Sequence, residues 1–243
     1  MNLEFRNKII NLKSVNSTNE FAKKLIDTNN ESDSFVITTD FQSRGKGQFN
    51  NSWESHSGKN LLISVVISLK KNIKTKFDLN IISSLAVIDV LNEIGFKKTS
   101  IKWPNDILVG RKKIAGILIE TKSKGNEIYK SIIGLGLNVN QEQFKIHDRE
   151  ATSIKVEKNK FFDIIVIRDN FLKKLYDRFL INMNTNYSDY NCYLYLKGKK
   201  STFIIGEKQT RGTIIDVDRS GELKLRLEND IESFQMKEIS YTI

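Results

Sequence analysis

From Ile101 to Val139 the chain reads as one strand after another, and no other stretch restricts the fold as tightly. Pro104, the only proline, biases Trp103 toward extended backbone and fits a bend ahead of a strand. Gly110-Arg111 then predicts a two-residue hairpin turn that pairs Val109 with Lys112 and Leu108 with Lys113. In that register Asp106 lies opposite Ala115, and alternation puts Asp106, Leu108, Lys113 and Ala115 on one face. Asp106 and Lys113 become diagonal neighbours, about 7–8 Å apart between backbones, a gap that one small reactive group bridges. The same pattern also fits a surface hairpin with an ordinary ion pair, worth about 0–1 kcal/mol. The adjoining Trp103-Pro104-Asn105 is harder to account for as surface filler.

Helical spacing flanks this region. Ser17 and Glu20 are placed as a capping box before Phe21, Ala22, Leu25 and Ile26, which share a face. Leu79, Ile82, Leu85, Ala86, Ile88 and Leu91 repeat with helical spacing up to a stop at Gly95. The spacing predicts another helix over Phe161 to Leu180, while Phe35 to Thr39 and Leu61 to Leu69 read as strands. Near the C-terminus, Gly212 to Val217, a turn at Asp218-Arg219-Ser220-Gly221, and alternating Leu223, Leu225 and Leu227 make a hairpin. A further short strand is expected at Ile231 to Phe234. The expected class is α+β, with one domain over residues 1–190 and a small β-barrel over 191–243.

Composition excludes several function classes. The net charge of +10 is spread as single and paired lysines, with no basic block or aromatic-basic signature. Such a diffuse field gives weak nonspecific affinity, so a dedicated nucleic-acid binder is the lesser alternative; an acidic protein partner suits the charge. One cysteine, Cys192, excludes an internal disulfide and a Cys-based zinc cluster, and His56 and His147 have no metal-ligand spacing. No protein-held metal is therefore expected. No run approaches the ~18 apolar residues of a membrane span, and no apolar signal core opens the chain. The expected location is the cytoplasm.

Two glycine-bearing segments are candidates for a site. Gln42 to Asn60 is polar and too long for a simple turn. In it Gly45 and Gly47 flank Lys46, which allows backbone N–H groups and a cation to approach an anion. It is neither a Walker loop nor a Rossmann fingerprint. Gly134 and Gly136 alternate on a strand and leave one face bare, suited either to a flat ligand or to close packing of strand on helix.

In their order along the chain these segments resemble the biotin–protein ligase family. The resemblance rests on Ser17-Thr18-Asn19, on Gln42 with Gly45-Lys46-Gly47-Gln48 through Trp53, and on Lys102-Trp103-Pro104-Asn105-Asp106. It continues through Lys113 to Glu120, including Gly116, then Gly134 to Asn140 with Gly136 and Asn138, and Ala151-Thr152-Ser153-Ile154. The family implies a mixed sheet flanked by helices, like that of class II aminoacyl-tRNA synthetases, plus a C-terminal barrel of Src-homology-3-like shape. It implies ATP and biotin as substrates, with Mg2+ on the phosphates, and a biotin carboxyl carrier protein or domain as acceptor. Of these, Ser17, Thr18, Asn19, Gln42, Gly45, Lys46, Gly47, Gln48, Trp53, Lys102, Asn105, Lys113, Gly116, Gly134, Gly136 and Asn138 are expected to line the biotin and adenylate site. Within it, Lys113 and Lys46 would neutralise the two anions, and Asp106 would orient or deprotonate the incoming lysine while holding Lys113 in the free enzyme. Ser17, Thr18 and Gln42 would meet biotin's ring, and the Gln42–Trp53 loop would order over the adenylate. A homodimer is compatible with the family. The matched pattern starts close to Met1, so the helix-turn-helix of repressor-type members, and with it DNA-binding regulation, is not expected. Family loops carry several arginines; here Lys46 stands for the first, and Gln48, Phe49 and Asn50 follow Gly47, which implies weaker retention of the adenylate. The neighbouring alternative is lipoate or octanoate attachment on a similar fold, against which Trp-Pro-Asn-Asp favours biotin.

Overall fold

A computed structural model describes residues 8–29, 34–48, 51–69, 73, 75–125, 127–144, 150–228 and 230–242. The elements are β1 (Ile9–Leu12), α1 (Thr18–Asn29), β2 (Phe35–Thr39), β3 (Asn60–Ser68), α2 (Lys76–Glu93), β4 (Thr99–Lys102), β5 (Asp106–Val109), β6 (Lys112–Lys124) and β7 (Glu127–Asn138). They are followed by α3 (Ile154–Lys158), α4 (Ile164–Leu180), α5 (Met183–Cys192), β8 (Lys200–Ile205), β9 (Lys208–Val217), β10 (Leu223–Leu227), β11 (Asp230–Phe234) and β12 (Ile239–Tyr241). Phe49, Asn50 and His147 lie outside the described residues.

Seven strands form a mixed sheet in the order β1-β2-β3-β7-β6-β5-β4, with β1 and β2 parallel. Strand alternation divides its chemistry. Odd-numbered Leu61, Ile63, Val65 and Ile67 of β3 and Ile133, Leu135 and Leu137 of β7 join the core that contains α2. On the other face Val66 and Ile132 pack with Ala22 and Ile26 of α1, in a separate small core. Ser64, Gly134, Gly136 and Gly116 lie in register along this second face.

Helix α2 is buried almost all round because it lies between the sheet and helices α4 and α5. A capping box starts it: Asp78 N–H donates to Thr75 Oγ1 at 3.0 Å and Thr75 N–H to Asp78 Oδ2 at 2.9 Å. Arg178 of α4 ties the helical layer together through Asp89 of α2 and Asp189 of α5, each at 2.6 Å. Burial opposes the Arg178 charge, but the bonds to Asp89 and Asp189 more than offset it and hold the guanidinium above its ordinary pKa.

The structure departs from or adds to the sequence reading in three places. The helix predicted from Phe161 begins at Ile164, capped by Asp163, and leaves Phe161 exposed. Helix α5 has too few apolar residues to show a face in sequence; its buried Tyr190 and Asn191 act through hydrogen bonds instead. The last five strands form an antiparallel sheet in the order β11-β10-β9-β8-β12, as the small C-terminal module required. Its core, however, is continuous with that of the large sheet, through Phe203, Ile214, Val217, Leu223 and Leu225. Trp103 Nε1–H donates to the Gly221 carbonyl at 3.0 Å and clamps the two sheets together.

Candidate active site

The bare face of the large sheet is the floor of a cavity of about 450 Å3, a size suited to a small organic ligand. At one end, α1 covers Gly134. A Cβ at that position would overlap the Asn19 carboxamide, whose Oδ1 accepts from Ser64 Oγ at 2.6 Å and whose Nδ2 donates to Glu120 at 2.8 Å. At the other end, the Trp53 indole lies on Gly136 and Gly116, and a Cβ at Gly136 would overlap the ring. Of the two readings of the alternate glycines, close strand–helix packing applies at Gly134, and a flat ring at Gly136. That ring is the protein's own.

Two elements fix the α1 end. Gln42 Oε1 accepts from the backbone N–H of Thr18 at 2.8 Å and from its hydroxyl at 3.1 Å. Ser17 is buried, and its Oγ takes the Glu20 N–H at 3.5 Å. The reciprocal half of the expected capping box is replaced, since the Glu20 carboxylate meets Lys46.

The hairpin turn at Gly110-Arg111 pairs Val109 with Lys112 and Leu108 with Lys113, as read from sequence. Beyond it the register slips: Ile107 pairs with Ala115, and Asp106 with Gly116. Ile114 is the extra residue of a bulge, so Ala115 turns into the core, away from the face expected for it. The bulge has a tertiary cause. Lys113 N–H donates to the Glu150 carbonyl at 2.9 Å, and its own carbonyl accepts from Thr152 N–H at 2.9 Å, so a third strand-like segment docks there. The slip also rotates Lys113 and Gly116 to one face; a Cβ on Gly116 would be 3.3 Å from Lys113 Nζ. The expected pair forms: Lys113 Nζ is 2.6 Å from Asp106 Oδ1, with both side chains largely covered. The ammonium also faces the Trp53 ring, 5.5 Å from its centroid.

The loop from Gln42 to Trp53 folds back on itself, with Lys46 bridged to Ser52 and Trp53 N–H donating to Gly45 O at 2.9 Å. Gly45 is needed for that contact, because a Cβ would press on the Trp53 carbonyl. Gly47 donates its N–H to Asn51 O at 2.6 Å, so this N–H serves the loop and not an anion. Lys46 and Glu20 form an exposed ion pair, and the hydrogen bond and charge of Glu20 hold the Lys46 pKa above its ordinary value.

Most expected site residues line this one cavity: Ser17, Thr18, Asn19, Gln42, Lys46, Gly47, Gln48, Trp53, Lys102, Asn105, Asp106, Lys113, Gly116, Gly134 and Gly136. Two do not. Gly45 is structural in the loop, and Asn138 is buried with its Nδ2 donating to Thr152 O at 3.0 Å, anchoring the segment that docks on Lys113. Asn105 lines the cavity but also braces β6, donating to Ile117 O at 2.6 Å. Sequence reasoning missed the wall contributed by the C-terminal sheet, where Met236, Lys237, Ile239, Ser240 and Tyr241 face the same space. Alternation of Ile239 and Tyr241 could have placed those two inside; nothing in the sequence ties the turn before them to a site about 130 residues earlier. Lys102, buried in the Lys-Trp-Pro-Asn-Asp segment, holds its ammonium 4.7 Å from the Tyr241 ring centroid. Among the described residues, four lysines and one carboxylate line the cavity, a balance that favours an anionic ligand. No group of three or more His, Cys, Asp or Glu among them could hold a metal.

Comparison with known proteins is consistent with this geometry. Residues 12–138 match the model of the Biotin/lipoate A/B protein ligase family. The bifunctional ligase/repressor BirA of Bacillus subtilis is 32% identical over 128 residues, which cover 53% of this chain and only 39% of that protein. The biotin--[acetyl-CoA-carboxylase] ligase of Mycobacterium tuberculosis is 27% identical over 201 residues, 79% of this chain and 73% of that protein. Among solved structures, the biotin protein ligase from Aquifex aeolicus in complex with biotin and ATP superposes with a TM-score of 0.80 at 26% identity, covering 96% of this chain and 97% of that one.

Proposed function

The chain belongs to the Biotin/lipoate A/B protein ligase family, and from that premise we propose that it is a biotin–protein ligase. In this reading it joins biotin to AMP from MgATP, then passes the biotinyl group to a lysine of a biotin carboxyl carrier protein, that of acetyl-CoA carboxylase. We also read residues 1–190 as the catalytic unit and 191–243 as a module that completes its wall.

The observation that carries the proposal is the Asp106–Lys113 pair at the edge of a glycine floor, inside a cavity with excess positive charge. In the first step a biotin carboxylate oxygen bonds to the α-phosphorus, and the bond to the β-phosphate oxygen breaks. Two anions must approach each other, and Lys113 is held where it can neutralise both. Lys46 adds a second cation from the loop above. Mg2+ arrives on the triphosphate as part of that substrate, with phosphate oxygens and water as its ligands.

Transfer needs a neutral amine. The carrier lysine's nitrogen attacks the acyl carbon, AMP leaves with the electron pair of the acyl–oxygen bond, and the proton goes to a base. Asp106 is the carboxylate lining the cavity and is assigned to orient or accept that proton. Thr18 and Gln42 form a preset polar pair for the ring of biotin, and Trp53 roofs Gly116 and Gly136 beside Lys113, where it keeps water from the anhydride.

The test is mass spectrometry of a biotin carboxyl carrier domain incubated with the protein, biotin and MgATP. One added biotinyl group is expected. Modification by lipoate or octanoate in preference to biotin would overturn the assignment in favour of the neighbouring activity.

A further inference from the structure

We propose, on the basis of the ligase reading above, that Gln141 is a positioning residue for the loop that carries Trp53. From outside the cavity it pins the far end of that loop to the end of β7, and so holds the indole roof over the floor that the same strand provides.

The loop is fastened at both ends through glutamine side chains. At the near end Gln42 accepts from Thr18, and the next two amides, of Ser43 and Arg44, donate to Val15 O at 3.0 Å and Asn16 O at 2.9 Å. At the far end Gln141 Oε1 accepts from His56 N–H at 3.0 Å and from Asn60 Nδ2 at 2.6 Å. Asn60 Nδ2 also reaches Ser55 Oγ at 3.0 Å. Gln141, Asn60 and Ser55 are buried, whereas the His56 side chain is exposed. The chain is thus drawn inward by its backbone, three residues beyond Trp53. A carboxamide oxygen suits the task, because its two lone pairs take one backbone donor and one side-chain donor together. The other end of the amide donates to Gln143 O at 2.8 Å, which agrees with that orientation.

The anchor is as rigid as the floor. Asn60 pairs with Asn138 across β3 and β7, and its Oδ1 accepts from Val139 N–H at 3.1 Å. Asn140 N–H donates to Lys59 O at 2.7 Å. The Asn140 side chain exchanges two bonds with the Phe162 backbone, at 2.8 and 3.0 Å. Gly136, on which the indole lies, is five residues before Gln141 in the same run of chain. The ring's place is therefore set at two points by one strand: directly at Gly136, and through Ser55 and His56 at Gln141. Gln141 itself does not line the cavity. Its loss should free the roof and leave the bond-making groups in place. A roof held in position before ligand arrives excludes water at little cost in ordering.

The experiment measures release of preformed biotinyl-adenylate in a double-mutant cycle. Gln141→Met keeps the side-chain length and removes the acceptor. It is expected to speed release about tenfold, the scale of one buried hydrogen bond. Pyrophosphate exchange at saturating substrates should stay within about twofold. In a Trp53→Ala background the same substitution should change release by less than about twofold, because Gln141 acts through the ring. Unchanged release in Gln141→Met would refute the proposal. So would a tenfold effect that persists without the indole, the mark of a merely structural role. Residue-resolved hydrogen exchange on the ligand-free wild type is the second measurement, and it depends on no variant folding. The His56 amide should exchange nearly as slowly as that of Val139, and exchange at the rate of an open loop would overturn the anchor. A wild type that binds no biotinyl-adenylate would remove the ligase reading, a separate result, since hydrogen exchange would still decide the anchor.

Discussion

Lys113 and Lys46 are assigned to the same pair of anions, yet the fold holds them in contrasting ways. Lys113 has its backbone bonded on both sides to the 150–152 segment, and its ammonium is largely covered against Asp106. Lys46 is on a loop whose contacts are mostly internal, and its partner Glu20 is nearly as exposed as itself, 45% against 53%. A charge held within a few tenths of an ångström acts best where a bond forms, because no reorganisation is needed at that moment. A charge on an adaptable loop acts best as a latch, since it can change partners when ligand arrives. On the proposed reading, bond making and ligand retention are thus divided between the floor and the loop.

The comparison predicts a wide separation of mutant effects. Asp106→Ala should lower transfer from preformed adenylate by about 10³-fold, within the usual range for removing a positioned proton acceptor; single-turnover kinetics with the carrier domain measures it, and unchanged transfer would end that assignment. Lys113→Ala should lower adenylate formation by about 10²–10³-fold, read as pyrophosphate exchange. Lys46→Ala should be milder, speeding release of bound adenylate about tenfold while exchange at saturating substrate changes less. Equal damage from the two lysine variants would erase the distinction between floor and loop. Glu20→Gln sharpens it from the other side: removal of an exposed competitor for Lys46 should slow adenylate release by about twofold, matching the small worth of a surface ion pair.

The sequence made the floor more legible than its surroundings. The Gly110-Arg111 turn and the pairing of Leu108 with Lys113 follow from local rules, so the Asp106–Lys113 contact could be anticipated. The bulge at Ile114 could not, because it is set by a segment some forty residues away that docks on Lys113 (Glu150 to Thr152). The alternate glycines announced a bare strand but not what would cover it; Asn19 and Trp53 were each identified for other reasons. The wall from Met236 to Tyr241 was hidden because its turn has no recognisable chemistry of its own, and a strained φ is invisible in sequence. Helix α5 was hidden by polarity, since its role depends on hydrogen bonds made by Tyr190 and Asn191 and not on an apolar stripe.

Helix α5 also supplies the smallest predicted effect. Tyr190 is fully buried, stacks edge-on against Phe77 at 5.4 Å, and donates its hydroxyl to the Pro104 carbonyl at 2.9 Å, where Asn80 donates as well. The two donors brace the floor's rigid edge from behind, one residue before Asn105 and two before Asp106. Tyr190→Phe keeps the ring and removes one donor, so it should cost about 1 kcal/mol. Burial, then the nearby Tyr241, push the Tyr190 pKa well above its ordinary value. The folded chain therefore keeps this proton at a pH where the unfolded chain, near pH 10, has begun to lose it. Stability from this group is fully present below about pH 10 and is lost as pH rises beyond that point. The melting temperature of the wild type should accordingly fall more steeply above pH 10 than that of Tyr190→Phe, narrowing a difference of a few degrees seen at neutral pH. Parallel curves would show that Tyr190 does not lose its proton later in the folded chain than in the unfolded one.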